Sequence, residues 1–567
     1  MGVLNFEKKL IANSINSICC FLLLFMCYNH LLVMVSFLTT SLLLPYAFSL
    51  SIILSIPTLF FLDSFKEISL KQSTVSIVFS LLIILVSLLI ASFFWDFSWD
   101  GQWYHQSAIY NITDGWNPIK EPIRKFNKNN DLSILHFPKG SWYFAASIYS
   151  CFGVFEAGKA LNFIVLFVLA LFSYDVSKKF NLNKLNSVLV SVLLVFNPVI
   201  WSEIATYMVD QLLCLYLTIY VLALFSLLKK YNLYHLLIGV MAVIGLINVK
   251  FTGGVFIAVF SSFGFIYLLF KKRALIKEYI IINVITAIIS LFIFGFNPYV
   301  SNFQERGNPL YPILGSKEFP SRLEQGFDGN EKHETPKNMQ NKPFVVRFFY
   351  AHFGAPSNAP YDQKKNAELT IPFVSSFSSW DAYRFHETRV AGFGPFFSGL
   401  LILSMLYLLF FLKANKNKAI LVLCLYGAIF SSLFISKHFW WARFAPQIWF
   451  IPIIPLILGM TSTKNKKTNY SLVFVTIVNA LIVISIHVKW EVENTSTFKH
   501  ELALLKKEDR KIELGYTWFK KSIEERFKIY GIKYAFVSNK KIRKKPHKKL
   551  SNVPKGYPGS LLYLKEN

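Results

Sequence analysis

Long apolar runs separated by short polar breaks dominate the chain. The run from Val75 to Phe94 is almost wholly Val, Ile, Leu, Ser and Phe, and it ends abruptly in FSWDGQWYHQ, residues 97–106. Runs of roughly 17 to 24 residues with few charges are long enough to cross about 30 Å of hydrocarbon as helix. The pattern predicts a polytopic α-helical membrane protein with about 13 spans, centred near 24, 52, 84, 167, 192, 218, 241, 261, 288, 401, 427, 452 and 479. The runs are continuously apolar and do not alternate, which argues against a transmembrane barrel. No repeat of 20–50 residues recurs, and the two halves carry no matched hydropathy pattern of the kind common in transporters.

The polar breaks orient the spans. Basic residues mark the N-terminus (Lys8, Lys9) and the breaks at Lys66/Lys71, Lys178/Lys179, Lys229/Lys230, Lys271–Arg273, Lys413–Lys418 and Lys464–Lys467. With the N-terminus inside, every one of these falls on the cytoplasmic side, as the positive-inside rule requires. The same parity places three segments outside: a loop over about 96–157, a second over about 299–390, and the tail from about 489. The tail is basic, with KKIRKKPHKK at 540–549, but long segments translocate largely regardless of charge. Its pattern predicts a small α/β domain, helical around 498–530 and then a strand at IKYAFVSN. The expected organisation is therefore an N-terminal transmembrane hairpin (1–72), a transmembrane module with external loop helices (73–488) and a basic extracytoplasmic domain (489–567).

Composition agrees with a membrane chain: 54% of the 567 residues are hydrophobic, and mean hydropathy is +0.43. The net charge of +27 does not indicate a nucleic-acid partner, because the cations are spread as topological punctuation. The six Cys lie in or beside apolar runs without metal or redox spacing, as small core residues do. The first apolar run has no convincing cleavage site and continues into a second, so no removable signal is read.

The segment 97–106 carries the candidate chemistry. Asp100 and Tyr104 are four apart, so one helical turn would put both on one face. A carboxylate at a membrane surface can take the proton of a hydroxyl that attacks an anomeric carbon. Trp99, Trp103 and Tyr104 could stack on a pyranose, or form an ordinary interfacial aromatic belt. NPVIWSEIATYMVDQ (197–211) offers Glu203 and Asp210 near a later external break. VKFTGG (249–254), GNPLYPIL (307–314) and WWARFAP (440–446) follow, and SSWDAYRFHETRVAGFGP (378–395) brings Trp380, Asp381, Arg384, His386 and Arg389.

Taken in this order, the segments resemble the GT-C superfamily of polytopic glycosyltransferases that use lipid-linked sugars. In that superfamily an acidic residue of the first external loop, often followed four residues on by an aromatic, serves as base or positions the acceptor; DGQWYH (100–105) matches. The resemblance covers roughly 73–540. It implies a GT-C-like fold and Asp100 as general base, with Tyr104 and His105 positioning the acceptor. Trp103, Glu203, Asp210, Trp380, Asp381, Arg384 and His386 would line the substrate site. Two features depart from the pattern: an extra hairpin precedes the family's first helix, and Asp-Gly stands where some branches carry Asp-Glu.

An external site cannot easily use cytoplasmic nucleotide sugars, so the donor expected is a polyprenyl-phosphate sugar. The acceptor would be a surface glycan or glycolipid. The donor phosphate needs a cation near the membrane face, and Arg443 and Lys250 are the candidates; snorkelling is the plainer alternative for each. No cofactor is demanded, although Glu203 and Asp210 could hold a divalent metal ion. The expected function is transfer of one sugar by an enzyme of the cell (cytoplasmic or inner) membrane, with its site outside. A repeat-unit polymerase is the nearest alternative. A lipid or solute transporter is disfavoured, because the polar clusters fall at the ends of the apolar runs.

Overall fold

The computed structural model describes residues 2–39, 43–124, 131–325, 334–361, 364–436, 438–462, 466–508, 511–544, 547–551 and 561–563, with side chains described between Ser14 and Ser551. Lys8, Lys9 and Lys464, three of the orienting cations, lie outside the described side chains.

The chain is mostly helical, and among the described residues ten helices are long and apolar enough to cross a membrane. They are Ser14–Leu38, Leu44–Ser64, Leu70–Phe93, Phe155–Lys179, Asp210–Lys229, Phe251–Lys271, Arg273–Phe294, Phe397–Ala414, Lys416–Phe434 and Lys466–Lys507. The other three expected centres fall on shorter apolar helices, Lys184–Val195, Leu233–Val249 and Pro446–Met460.

Leu70–Phe93 shows why these runs fold as they do. Ser69 caps its start: the Ser69 hydroxyl accepts from the Gln72 amide, and the Gln72 side chain accepts from the Ser69 amide at 3.2 Å. This reciprocal cap satisfies two of the amide donors left over at a helix start. The buried face is mostly small, Ser73, Ser76, Ser80, Ser87 and Ala91, with Ile77 and Ile84 between them, while Leu82, Leu85 and Leu89 point outward. A buried face rich in small residues suits a lipid-facing helix, because close packing and not water exclusion holds helices together there.

The N-terminal hairpin is not an outlying addition. Ser14–Leu38 is mostly buried and packs against the helices Leu70–Phe93, Ala160–Lys179 and Leu233–Val249.

One end of the bundle gathers the basic breaks. Lys229 donates to the Lys179 carbonyl, and Lys272 donates to the Leu228 carbonyl at 2.5 Å. Beside them His235 lies 3.0 Å from both Asp175 and Asn16, and Asp63 accepts from Ser17 at 2.8 Å and from Tyr234. The apolar runs thus carry more buried charge than their hydropathy suggests, but it is paired and collected at this end.

At the opposite end Lys466–Lys507 continues unbroken past 489 into a small sheet of order β2-β1-β4-β3 (β1 Ile512–Gly515, β2 Tyr534–Val537, β3 His547–Lys549, β4 Leu561–Tyr563). β1 and β2 are parallel, and the remaining pairs are antiparallel. Helix Lys520–Tyr530 covers the sheet and joins a core that also contains Trp95 and Phe97. The sheet unit and the 95–106 segment therefore lie on the same side of the bundle.

Candidate functional site

The turn after Leu70–Phe93 is built around Asp96. This fully buried carboxylate accepts from the Ser98 amide (2.8 Å) and hydroxyl (2.6 Å) with one oxygen. Its other oxygen accepts from the Tyr207 amide at 3.0 Å and the Gln106 side chain at 3.3 Å. Asp96 thereby ties the first large loop to the segment that leads into Asp210. A Cβ at Gly101 would stand 2.0 Å from Asp96 Oδ2 and 2.3 Å from Ser98 Oγ. Only glycine fits, so the Asp-Gly pair has a local steric cause. Gly101–His105 then forms one π-helical turn, a widened turn often found at functional sites.

Asp100, at the head of this turn, meets residues hundreds of positions away. Arg443 contacts three carboxylates: Asp100 through Nη2 at 2.5 Å, Glu387 through Nη1 at 2.8 Å and Asp210 through Nε at 3.3 Å. Lys250 bonds the other oxygen of Asp210. Beneath them Glu203 is fully buried; one oxygen accepts from the Gln211 amide at 3.1 Å, and the other has no hydrogen-bond partner. The Phe444 ring lies 4.6 Å from the Arg443 guanidinium and 4.8 Å from Lys250 Nζ. The side chains of Asp210 and Arg443 are 2% and 8% exposed, against 20% for Asp100 and 24% for Lys250. Asp100 and Lys250 therefore form the accessible rim.

Three of the shorter apolar helices lead to this cluster. Leu233–Val249 ends one residue before Lys250, and Pro446–Met460 starts three residues after Arg443. Lys184–Val195 runs into a short helix, Pro198–Glu203, capped by Asn197, whose side chain accepts from the Val199 amide at 3.1 Å.

Four carboxyls face two cations, and the protonation pattern follows. Burial raises the Asp100 carboxyl, but the charge and hydrogen bond of Arg443, with His105 and Lys250, bring it below its usual value. Burial and the Asp210 charge push Glu203 well above the carboxylate range. Burial also raises Glu387, against the pull of Arg443. His105 is driven down to about 4, mainly by burial, and is a neutral ring accepting from Trp142 Nε1 at 2.7 Å.

Of the residues singled out in the sequence, Asp100, Glu203, Asp210, Lys250 and Arg443 converge here. Tyr104 and His105 flank the cluster but are buried against other rings: their own rings lie 4.1 Å apart, and Tyr104 is also hemmed by Phe137 and Trp142. Trp103 faces Trp518 of the C-terminal unit at 6.5 Å. Trp380, Asp381 and Arg384 stand apart; Asp381 and Arg384 form a largely exposed pair at 2.8 Å, and Trp380 donates to Ser375. His386 belongs to a different cluster, with Glu491. Glu387 and Trp441, whose ring carries Arg389 at 3.7 Å, were not singled out; the signal available was Glu387's place inside RFHETRV, beside residues that were.

For a metal ion, the oxygens of Asp210 are already committed to Lys250 and Arg443, and one of Glu203 to Gln211, so these two residues do not make an open ligand pair. No family model, curated protein or solved structure matches the chain.

Proposed function

We propose that the chain is a GT-C-like, inverting glycosyltransferase of the cell membrane, moving one sugar from a polyprenyl-phosphate donor to a glycan or glycolipid acceptor outside the cytoplasm. The observation that carries this reading is the convergence of Asp100, Asp210 and Glu387 on Arg443, with Lys250 on Asp210 and the buried Glu203 nearby, at the bundle end opposite the basic breaks. In this reading the shorter helices Lys184–Val195, Leu233–Val249 and Pro446–Met460 join the ten long ones to give thirteen crossings. Twelve residues of helix, Lys184–Val195, rise only about 18 Å, so in this reading the Glu203 segment that follows sits near the depth of a lipid phosphate.

In this reading the donor phosphate takes Arg443 and Lys250. Asp100 then loses the partner that holds its pKa down and becomes a stronger base at the moment the donor is seated. The acceptor hydroxyl oxygen forms a bond to the anomeric carbon as its proton passes to Asp100. The bond from that carbon to the phosphate oxygen breaks, and polyprenyl phosphate leaves on the two cations. The half-buried Trp103 ring offers an apolar surface for the sugar, whereas Trp441 is buried under Arg389 and backs the Arg443 guanidinium.

The test is to replace Asp100 by Asn, confirm protein level and folding, and profile the surface glycan by mass. Loss of one defined sugar supports the reading. Collapse of a polymer ladder to single repeat units would instead support the polymerase. Unchanged glycan with folded Asp100→Asn protein removes the proposal.

A further inference from the structure

A second buried polar cluster lies outside the Arg443 site. His487 and Glu491 are four apart on the helix Lys466–Lys507, so they share one face; His386 approaches from the loop after the 3₁₀ turn Phe377–Arg384. His386 Nε2 lies 2.5 Å and His487 Nε2 lies 3.6 Å from the same oxygen, Glu491 Oε1. All three residues are nearly inaccessible, at 4%, 1% and 1%. The Trp490 ring stands 5.5 Å from His386 and 6.2 Å from His487 and walls the site from water.

The internal hydrogen bonds do not complete this cluster. Neither ring nitrogen of His487 has a well-formed hydrogen bond, and Glu491 Oε2 has none. Buried polar atoms in native proteins are nearly always satisfied, so the His487 nitrogen that faces Glu491 and the orphaned Glu491 Oε2 together point to a missing partner. The carbonyls of Tyr383 and Arg384 lie beside the His487 ring, where they could accept from the nitrogen that does not face Glu491. A metal-bound histidine commonly has such a backbone acceptor.

We propose that His386, His487 and Glu491 bind a zinc ion, with Glu491 Oε2 available as a further ligand atom. Two imidazoles and a carboxylate form a ligand set zinc accepts, and ligand atoms about 2.0–2.2 Å from the ion stand about 3.4 Å apart in a tetrahedron. Opening the His386–Glu491 contact and closing the His487–Glu491 contact, each by less than about 1 Å, reaches that spacing at Glu491 Oε1, and the ligand atoms of all three residues already lie within 4.8 Å of one another. Among the described residues no other group of three His, Cys, Asp or Glu residues converges in this way. The ion would fasten the loop at 386 to the helix that leads into the C-terminal sheet. Glu387, the next residue, contacts Arg443, so the ion would act as a structural clamp setting where that carboxylate lies. This inference does not depend on what the Arg443 site transfers.

The full chain, purified in detergent with any affinity tag removed, is stripped with a chelator and loaded with ZnCl2. Excess ion is removed, and metal is counted by mass spectrometry. Wild type is expected to hold about one zinc per chain, and His487→Asn and Glu491→Gln at least about tenfold less. Cobalt loading should give visible absorption bands in wild type that both variants lack. Zinc should also raise the melting temperature of stripped wild type. Wild type retaining less than about 0.1 zinc per chain, or variants keeping the full complement, overturns the proposal in favour of a plain His386–Glu491 ion pair. Should the variants fail to fold, stripped wild type that melts identically with and without zinc overturns it equally.

Discussion

Replacing Arg443 by Gln tests whether the Arg443 cluster exists as a unit. The guanidinium is 8% exposed and touches three carboxylates within 3.3 Å. Its removal leaves Asp210 with Lys250, Glu387 with the more distant charge of Arg389, and Asp100 without its ion-pair partner. Removing one member of a buried ion pair costs about 3–5 kcal/mol, because the stranded charge cannot be rehydrated. The loss for Arg443→Gln should fall in that range, softened as the stranded carboxyls take up protons. Asp100→Asn should cost less, about 1–2 kcal/mol, since Asp100 is 20% exposed and the cluster keeps two other carboxylates on Arg443. The double variant should then be more stable than the sum of the two losses implies, by about 1–3 kcal/mol, as expected for residues in contact. The free energies come from unfolding in mixed micelles titrated with denaturing detergent, followed by circular dichroism. Additivity within about 0.5 kcal/mol would refute the contact between positions 343 residues apart in sequence. An Arg443→Gln protein as stable as wild type would refute the cluster itself.

Other expectations follow from single contacts. Gly101→Ala puts a methyl 2.0 Å from Asp96 Oδ2 and should cost about 1–3 kcal/mol by overpacking in the same titration; a wild-type midpoint would mean the turn is looser than described. Glu203, with its pKa raised in the folded state above the ordinary 4.5, contributes stability that is complete below that value and is lost as pH climbs toward the folded-state pKa. Glu203→Gln should therefore gain on wild type as pH is raised from 5 to 8, and parallel stability curves would contradict the assignment. Deleting 509–567 removes Arg526, which donates to the Asp96 carbonyl at 2.9 Å, and Ser522, which donates to Gln106 at 2.6 Å. Trp95 and Phe97 should then be uncovered, with red-shifted tryptophan emission and new protease cleavage near 95–106; an unaltered emission maximum would argue against the shared core.

The membrane-crossing helices were legible because lipid demands an unbroken apolar run for each, and the short runs near 192, 241 and 452 were legible as helices but not as short ones. Asp100, Glu203, Asp210, Lys250 and Arg443 could be picked out because each is a polar residue at the end of an apolar run, where charge has few structural uses. Glu387 could not, since its meaning comes from Arg443, and sequence carries no distance between them. Trp380, Asp381 and Arg384 drew attention by local polarity alone, and an exposed loop is polar for many reasons. The His386 cluster was hidden by a boundary: with the last span ended near 488, His487 and Glu491 fall on opposite sides of it, whereas one helix carries both. The tight turn at Gly101 was visible only as a departure from Asp-Glu, and the steric cause needed Asp96 to be placed.

Length, charge and covering fit together at this end of the bundle. A charged cluster in mid-membrane would face hydrocarbon on every side, at a high desolvation cost. Lys250, Arg443 and Glu203 instead stand at or just beyond the ends of shorter helices, while the helices beside them are longer. The long helices Leu70–Phe93 and Lys466–Lys507 rise past them and bring the Asp96 turn and the C-terminal sheet together over the site, through Trp95, Phe97 and Phe498. Asp100 is the point where this cover meets the cluster, since its turn is held by Asp96 on one side and by Arg443 on the other. A ligand that takes Arg443 away from Asp100 would therefore alter both the basicity of the carboxylate and the seating of the cover. For a donor whose phosphate sits at the helix ends and whose sugar lies beneath the rings, binding and activation would be one event.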